Sequence, residues 1–180
     1  MKLKLDLHTH IWEAFNFQPP SLDIAEKVIA QIKSQGIDGI AITDHHNKDW
    51  AFQFRELVEK HFPGEVVIIP GWEIEIRPVE SPFDEYQVAE LFLPNGGMFR
   101  IYCHPGYYTP KIIIEKNVHG IEIDNYIHNW HIRKSLVKAV ADTHSLMTFE
   151  VSDAHNLENI GLRYTEVDLD DLYRRAMPLD

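Results

Sequence analysis

Two histidines one residue apart, His8 and His10, stand at the end of an alternating apolar run, and Asp153 and His155 repeat that spacing after another. In extended backbone, residues two apart point to the same side, so each pair can grip one cation. Three more donors hold comparable places: His45 after residues 39–43, Glu73 after 66–69, and His104 after 98–103. A lone His-x-His pair is unspecific, but strand ends that repeatedly supply His, Asp or Glu point to one shared metal site. Imidazole mixed with carboxylate suits zinc, manganese or iron better than calcium or magnesium. Glu73 is the natural bridge, since one carboxylate can offer an oxygen to each of two ions. Cations about 3.5–4 Å apart can clamp the attacking and leaving oxygens of a displacement at phosphorus, with water between them ionising near neutrality.

The elements that must position these donors follow from periodicity. Leu3, Leu5 and Leu7 alternate with Lys4 and Asp6, the pattern of a half-buried strand ending at His8. Ser21 caps a helix in which Ala25, Val28, Ile29 and Ile32 recur at helical spacing until Gly36. A strand over 39–43 precedes Asp44 and His45, a helix over 50–60 follows, and a third strand over 66–69 runs through Pro70 and Gly71 to Glu73. A helix is expected over 84–92, then strands over 98–103, 120–123 and 146–151, a helix over 128–144, a short strand over 164–167 and a last helix capped by Asp168. Strands alternating with helices indicate parallel βαβ units, and about seven of them suggest a curled sheet or barrel. A full eight-unit barrel takes about 250 residues, so this one must be trimmed and irregular. Its strand ends share one rim, where barrel enzymes place their sites.

With 180 residues and 44% hydrophobic content, residues 1–180 are expected to form a single domain. The apolar stretches are only strand-length, so neither a membrane span nor a cleaved leader is expected. Cys103 has no partner for an intramolecular disulfide, which fits a cytoplasmic protein. The 17 basic against 28 acidic residues give a net charge of −11, which repels a nucleic-acid backbone. A small anionic substrate stays admissible, because bound cations make a local positive well inside an acidic protein. Of the eleven histidines, His46, His61, His119, His128, His131 and His144 share no motif and are expected to be solvated or packed.

In combination these motifs resemble the PHP family (polymerase and histidinol phosphatase domain). They are Asp6-Leu7-His8-Thr9-His10, Ile42-Thr43-Asp44-His45, Gly71-Trp72-Glu73 with Cys103-His104-Pro105, and Ser152-Asp153-Ala154-His155. The resemblance implies an α/β fold, an irregular (βα)7 barrel of mostly parallel strands, and usually a trinuclear site. It also implies the ligand sets. One ion would take His8, His10, Glu73 and Asp153, a second would share Glu73 and take His104, and a third would take His45 and His155. Glu73, His104 and Asp153 would act in catalysis through two or three bound Zn, Mn or Fe ions, while Asp44 would orient ligands without binding metal. Two departures are visible. Where members often carry an acid or histidine in a Ser-Asp-Gly context, this chain has residues 11–15, with Glu13 the nearest substitute. Many members also have a histidine upstream of the one before proline, and residues 75–102 contain none, so the second ion would lean on water or substrate.

Asp124 and Asn125, after the fifth strand, are candidates for touching substrate, with a turn-forming role equally open. Arg77, Arg100, Arg133 and Arg163 are each candidates for gripping phosphate, and none stands out. Trp12, Phe15 and Phe17 form an aromatic run beside the first ligands, either a packed loop or a lip for substrate. The expected activity is hydrolysis of a small phosphomonoester by metal-bound hydroxide. The alternatives are a nuclease acting on short oligonucleotide ends, an amidohydrolase-type C–N hydrolase, and a barrel that keeps metals as structural staples. Self-association is expected to be open to so compact a chain.

Overall fold

The computed structural model describes residues 2–178. Nine strands among them form one sheet: β1 (Lys2–Thr9), β2 (Gly39–Ile42), β3 (Val67–Ile76), β4 (Tyr86–Phe92), β5 (Gly97–Tyr102), β6 (Gly120–Asn125), β7 (Met147–Val151), β8 (Thr165–Asp168) and β9 (Met177–Pro178). Their spatial order is β7-β6-β5-β4-β3-β2-β1-β8, with β9 paired to β5. The eight longer strands make a nearly closed α/β barrel. Its last gap is bridged where the Asp153 N–H donates to the His8 carbonyl (2.9 Å) and the His10 N–H to the Ala154 carbonyl (2.8 Å). Asp6 ties the same seam. Its carboxylate accepts the Ser152 N–H (3.0 Å), the Ser152 hydroxyl (2.5 Å) and the Gly161 N–H (2.9 Å).

Strands β1, β2, β3, β5, β6 and β7 run in one direction, while β4 and β8 are antiparallel to their neighbours. The barrel is therefore eight-stranded and mixed, where a seven-stranded, mostly parallel one was expected. The main correction lies at residues 84–92, expected as a helix and found as β4. Alternate residues of β4 serve two apolar clusters: Ala89 and Leu91 face the barrel interior, Tyr86 and Val88 the opposite side. β3 runs on through Glu73 to Ile76, and its second half pairs with β4 from Gly71↔Leu91 to Ile76↔Tyr86. Gly71 permits that approach, since a Cβ there would lie 2.6 Å from the Glu90 carbonyl oxygen.

Five α-helices among the described residues flank the sheet: α1 (Ile11–Ala14), α2 (Leu22–Ser34), α3 (Lys48–His61), α4 (Lys134–His144) and α5 (Leu169–Arg175). Ser21 caps α2 by accepting the Ile24 N–H, and Asn47 caps α3 by accepting the Trp50 N–H. The apolar faces of these two helices, Ile24, Val28 and Ile32 with Trp50, Phe54 and Val58, pack with Ile40, Ile42 and Ile68 of β2 and β3. Leu5, Leu7, Ile69, Phe99, Phe149 and Val151 fill the barrel, joined by Leu172 of α5. Among the described residues no helix is long and apolar enough to cross a membrane.

Candidate metal centre

The seven strand-end donors singled out above meet at one rim of the barrel. The register of β1 against β2 shifts between Asp6 and Thr9. Such an irregularity re-aims side chains: Leu5 and Leu7 pack into the interior cluster, yet His8 and His10 also turn inward, both fully buried. His104 and Asp153 occupy the left-handed region, φ 26° and 56° respectively. Non-glycine residues seldom hold that conformation, and where they do it is maintained by the surrounding structure at functional sites.

Two buried carboxylates organise the centre. Glu73 Oε2 lies 3.4 Å from His8 Nε2, 3.6 Å from His10 Nε2 and 3.4 Å from His45 Nε2, while its other oxygen, Oε1, lies 3.0 Å from His104 Nε2. Asp153 Oδ1 lies 3.4 Å from His8 Nε2 and 3.2 Å from His10 Nε2, while Oδ2 lies 3.6 Å from His128 Nε2. Each carboxylate thus presents its two oxygens to different groups of imidazoles. Among the described residues, four groups of potential ligands lie together: His8, His10 and Asp153; His104, His128 and Asp153; His10, Glu13, His45 and His155; and His8, Cys103 and Glu122.

Glu13 reaches the third group, with its oxygens 3.5 Å from His10 Nδ1 and 3.6 Å from His155 Nε2. Asp44 holds it there. The Asp44 carboxylate accepts the N–H groups of Trp12 (3.1 Å) and Glu13 (2.9 Å), anchoring the single turn of α1 that carries Glu13. Burial pushes Asp44 up to about 6 against those hydrogen bonds.

Two positions in the cluster were not singled out from the sequence. Glu122 is fully buried; its Oε1 accepts from His8 Nδ1 (2.6 Å) and its Oε2 from the His104 N–H (2.6 Å) and the Asn125 amide (2.9 Å). A carboxylate standing between Ile121 and Ile123 in a strand was the available signal. The second is His128, expected to be packed or solvated, which enters the centre instead. The helix expected from 128 begins only at Lys134, and the preceding turn is set by Asn125, whose side-chain oxygen accepts the N–H groups of Ile127 (3.0 Å) and His128 (2.9 Å). Thus the histidine missing upstream of His104 has a counterpart downstream of it.

Asn125 also donates to Asp153 Oδ2 (3.2 Å), so its side chain is fully engaged in positioning. Asp124 is ion-paired with Lys134 and with Arg163 (3.4 Å). Arg77 pairs with Glu85 and Arg100 with Glu90. Arg133 lines a separate hollow beside Trp130 and His131. The hollow over the donors, about 190 Å³, is lined by His45, Glu73, Gln87, His104, Tyr107, Tyr108, His128, Asp153 and His155, with no lysine or arginine among them.

The donor set fits divalent transition cations. At metal–nitrogen distances of about 2.0–2.1 Å, tetrahedral ligands lie about 3.3 Å apart, which is the spacing of the Nε2 and carboxylate oxygens here. The tautomers agree: His8 donates from Nδ1 to Glu122 and His155 from Nδ1 to the Asp153 carbonyl (2.9 Å), leaving each Nε2 lone pair turned to the centre. The electrostatics call for positive charge. Burial lowers the pKa of His8, yet Asp153, Glu73 and Glu122 lift it well above the ordinary imidazole value. Burial works likewise against His10, which Asp153 and Glu13 lift to about 9. Burial raises the carboxyls of Glu73 and Asp153, but the histidines hold both below the usual range. Cys103 lies beside His8 and is kept protonated by burial.

No family model and no curated protein matches the chain. Solved structures do match over nearly the whole length. A protein of Bifidobacterium adolescentis provisionally described as a metal-dependent phosphoesterase superposes with a TM-score of 0.71 at 11% identity, over 98% of this chain and 96% of its own. An amidohydrolase from Chromobacterium violaceum, with bound sulfate and no metal, gives 0.62 at 12% identity, over 97% of each chain. PsfC from Pseudomonas syringae gives 0.60 at 18% identity, over 89% of this chain and 79% of its own. At such identities the likeness carries the fold alone, a nearly closed α/β barrel; the His/Asp/Glu cluster on one rim is seen in this chain's own geometry.

Proposed function

We propose that the chain is a PHP-like metal-dependent phosphoesterase that hydrolyses a small phosphomonoester at a centre of two or three Zn, Mn or Fe ions. The observation that carries this reading is that Glu73 and Asp153 each face different histidine groups with their two oxygens, as bridging ligands do. His8 and His10 with Glu73 and Asp153 would hold one ion, His104 and His128 with the other oxygens of both carboxylates a second, and Glu13, His45 and His155 a third. When bound, such cations neutralise the charge of the phosphoryl group and acidify water.

The chain's own residues do the rest. Glu122, Asn125 and Asp44 hold the donors in register, which confers the preorganisation that electrostatic catalysis requires. Because no lysine or arginine among the described residues lines the hollow, neutralising the phosphoryl group would be left to bound cations, with Gln87, Tyr107 and Tyr108 placed to donate hydrogen bonds. In the net reaction a water oxygen bonds to phosphorus, the ester P–O bond breaks, and the departing alkoxide takes up a proton.

The test is metal analysis and turnover together. Protein loaded with zinc or manganese is expected to hold two to three equivalents and to hydrolyse simple phosphomonoesters. Glu73→Gln and His8→Ala should each cut kcat/KM by at least about a hundredfold, in line with loss of electrostatic stabilisation. Activity that survives both chelation and His8→Ala defeats the proposal. The amidohydrolase among the similar structures motivates a second reading, C–N hydrolysis, which turnover of cyclic amides or ureas in place of phosphate esters would favour.

A further inference from the structure

A second cleft of about 530 Å³ opens beside the hollow over the donors and shares His45, Gln87 and Tyr108 with it. Its remaining lining is Trp12, Glu13, Phe17, His46 and Glu75. We infer that this cleft takes the organic half of the substrate, and that this half is a flat ring, uncharged or cationic, with no second anionic group. The inference rests on the phosphoesterase reading above and adds the substrate class to it.

The aromatic walls are built and held. Trp12 and Phe17 meet edge to face with centroids 4.8 Å apart, and Phe17 stays 60% exposed. Asn16 and Phe17 both adopt left-handed backbone, φ 53° and 61°. That is costly for a phenylalanine, and it is locked by the Phe17 N–H donating to the Trp12 carbonyl (2.8 Å) and the Asn16 N–H to that of Glu13 (3.0 Å). With one edge packed on Trp12 and 60% of its surface still exposed, the Phe17 ring supplies a fixed face for a planar ligand. Tyr108, which also lines the cleft, is 47% exposed and braced edge-on by Tyr107 (4.7 Å), which itself packs on His104 (5.2 Å) and His128 (4.5 Å). Both walls belong to segments that carry candidate ligands: Trp12 and Phe17 flank Glu13, and Tyr108 follows His104 by four residues. A phosphoryl group over the donors would therefore direct its ester substituent between them.

Charge selects further. Outside the proposed ligand set the cleft offers one carboxylate, Glu75, and no lysine or arginine among its lining residues. The nearest arginine in sequence, Arg77, is paired with Glu85 (3.2 Å). A second phosphate or carboxylate on the substrate would meet Glu75, which has no cationic partner among the described residues, a repulsive element of the kind that gives sites their specificity. An amine or a neutral heterocycle meets no such penalty.

The test compares primary-alcohol phosphates whose leaving groups are chemically alike: naphthylmethyl, ethyl and carboxybenzyl phosphate, with the metal-loaded full-length protein. Expected is a kcat/KM at least tenfold higher for the naphthylmethyl ester than for either other ester. Phe17→Ala and Tyr108→Ala should shrink the naphthylmethyl-to-ethyl ratio, and Glu75→Lys should raise the carboxybenzyl-to-naphthylmethyl ratio, each variant checked for unchanged thermal unfolding. Binding of naphthylmethylphosphonate against ethylphosphonate, by calorimetry, gives a readout without turnover. Equal kcat/KM across the esters, or a ring preference that survives both alanine variants, overturns the inference while leaving the phosphoesterase reading intact. If no ester is hydrolysed, that reading fails and the phosphonates decide the cleft: tighter naphthyl binding lost in Phe17→Ala supports it, and equal binding overturns it.

Discussion

Glu122 illustrates how a residue with no donor facing the cluster can govern it. Its two oxygens hold the His8 ring, the His104 backbone and the Asn125 amide at once. Replacing it with glutamine keeps the volume but removes the charge that favours an Nδ1–H on His8. Loss of such outer partners costs about 10–100-fold in metal affinity. Glu122→Gln is expected to fall in that range, measured by competition with a chromophoric chelator, while its circular dichroism stays that of the parent. An unchanged affinity would remove Glu122 from the centre. His10 carries a pH signature. In the metal-free protein its raised pKa, about 9, means that its proton stabilises the fold fully below about 6.5 and that this contribution is lost as pH rises through about 9. A cation must displace that proton, so affinity should climb by up to about tenfold per pH unit for each proton released, and level off above about 9. A flat profile between those limits would take His10 out of the ligand set.

At the scale of elements, α1 is a helical turn too short to stand alone, and Asp44 from the end of β2 anchors its first N–H groups. Asp44→Ala leaves two partly buried N–H donors, of Trp12 and Glu13, without their carboxylate partner. The expected loss is about 1–2 kcal/mol, seen as a fall in Tm of roughly 2–8 °C for a chain of this size. The same variant should lose the metal equivalent held with Glu13, whereas His8, His10 and Asp153 keep theirs. The segment over residues 84–92 shows the limit of pattern. Its Glu, Gln, Ala and Leu residues favour a helix by propensity, but both of its faces are covered and its hydrogen bonds are completed by β3 and β5. Pairing partners distant in sequence overrode local preference, as they often do in strands.

For the whole molecule, the centre and the seam of the barrel are one structure. The hydrogen bonds that close β1 onto the end of β7 come from Asp153, His8, His10 and Ala154, so ions held there would tie the barrel shut. A ligand present at a hundred times its Kd stabilises by about 2.7 kcal/mol, so zinc or manganese is expected to raise Tm by roughly 5–10 °C and chelation to reverse it. A Tm indifferent to both would mean that the cluster binds no cation strongly.

The strand ends bearing His8, His10, His45, Glu73, His104, Asp153 and His155 were legible in the sequence. Period-two alternation and chain punctuation are local properties, and parallel strands bring their ends to one rim by topology alone. His128, Glu122 and the work of Asn125 were not. They depend on a register shift in β6 and on an Asx-type turn that folds residues 126–131 back over the barrel. The antiparallel β4 was hidden for a related reason: whether a segment with mixed propensity becomes helix or strand is decided by which neighbour completes its backbone hydrogen bonds. Sequence determined which chemistry the chain could carry. Only the tertiary structure decided how many donors converge, because convergence depends on bulges, turns and pairings whose partners lie far away along the chain.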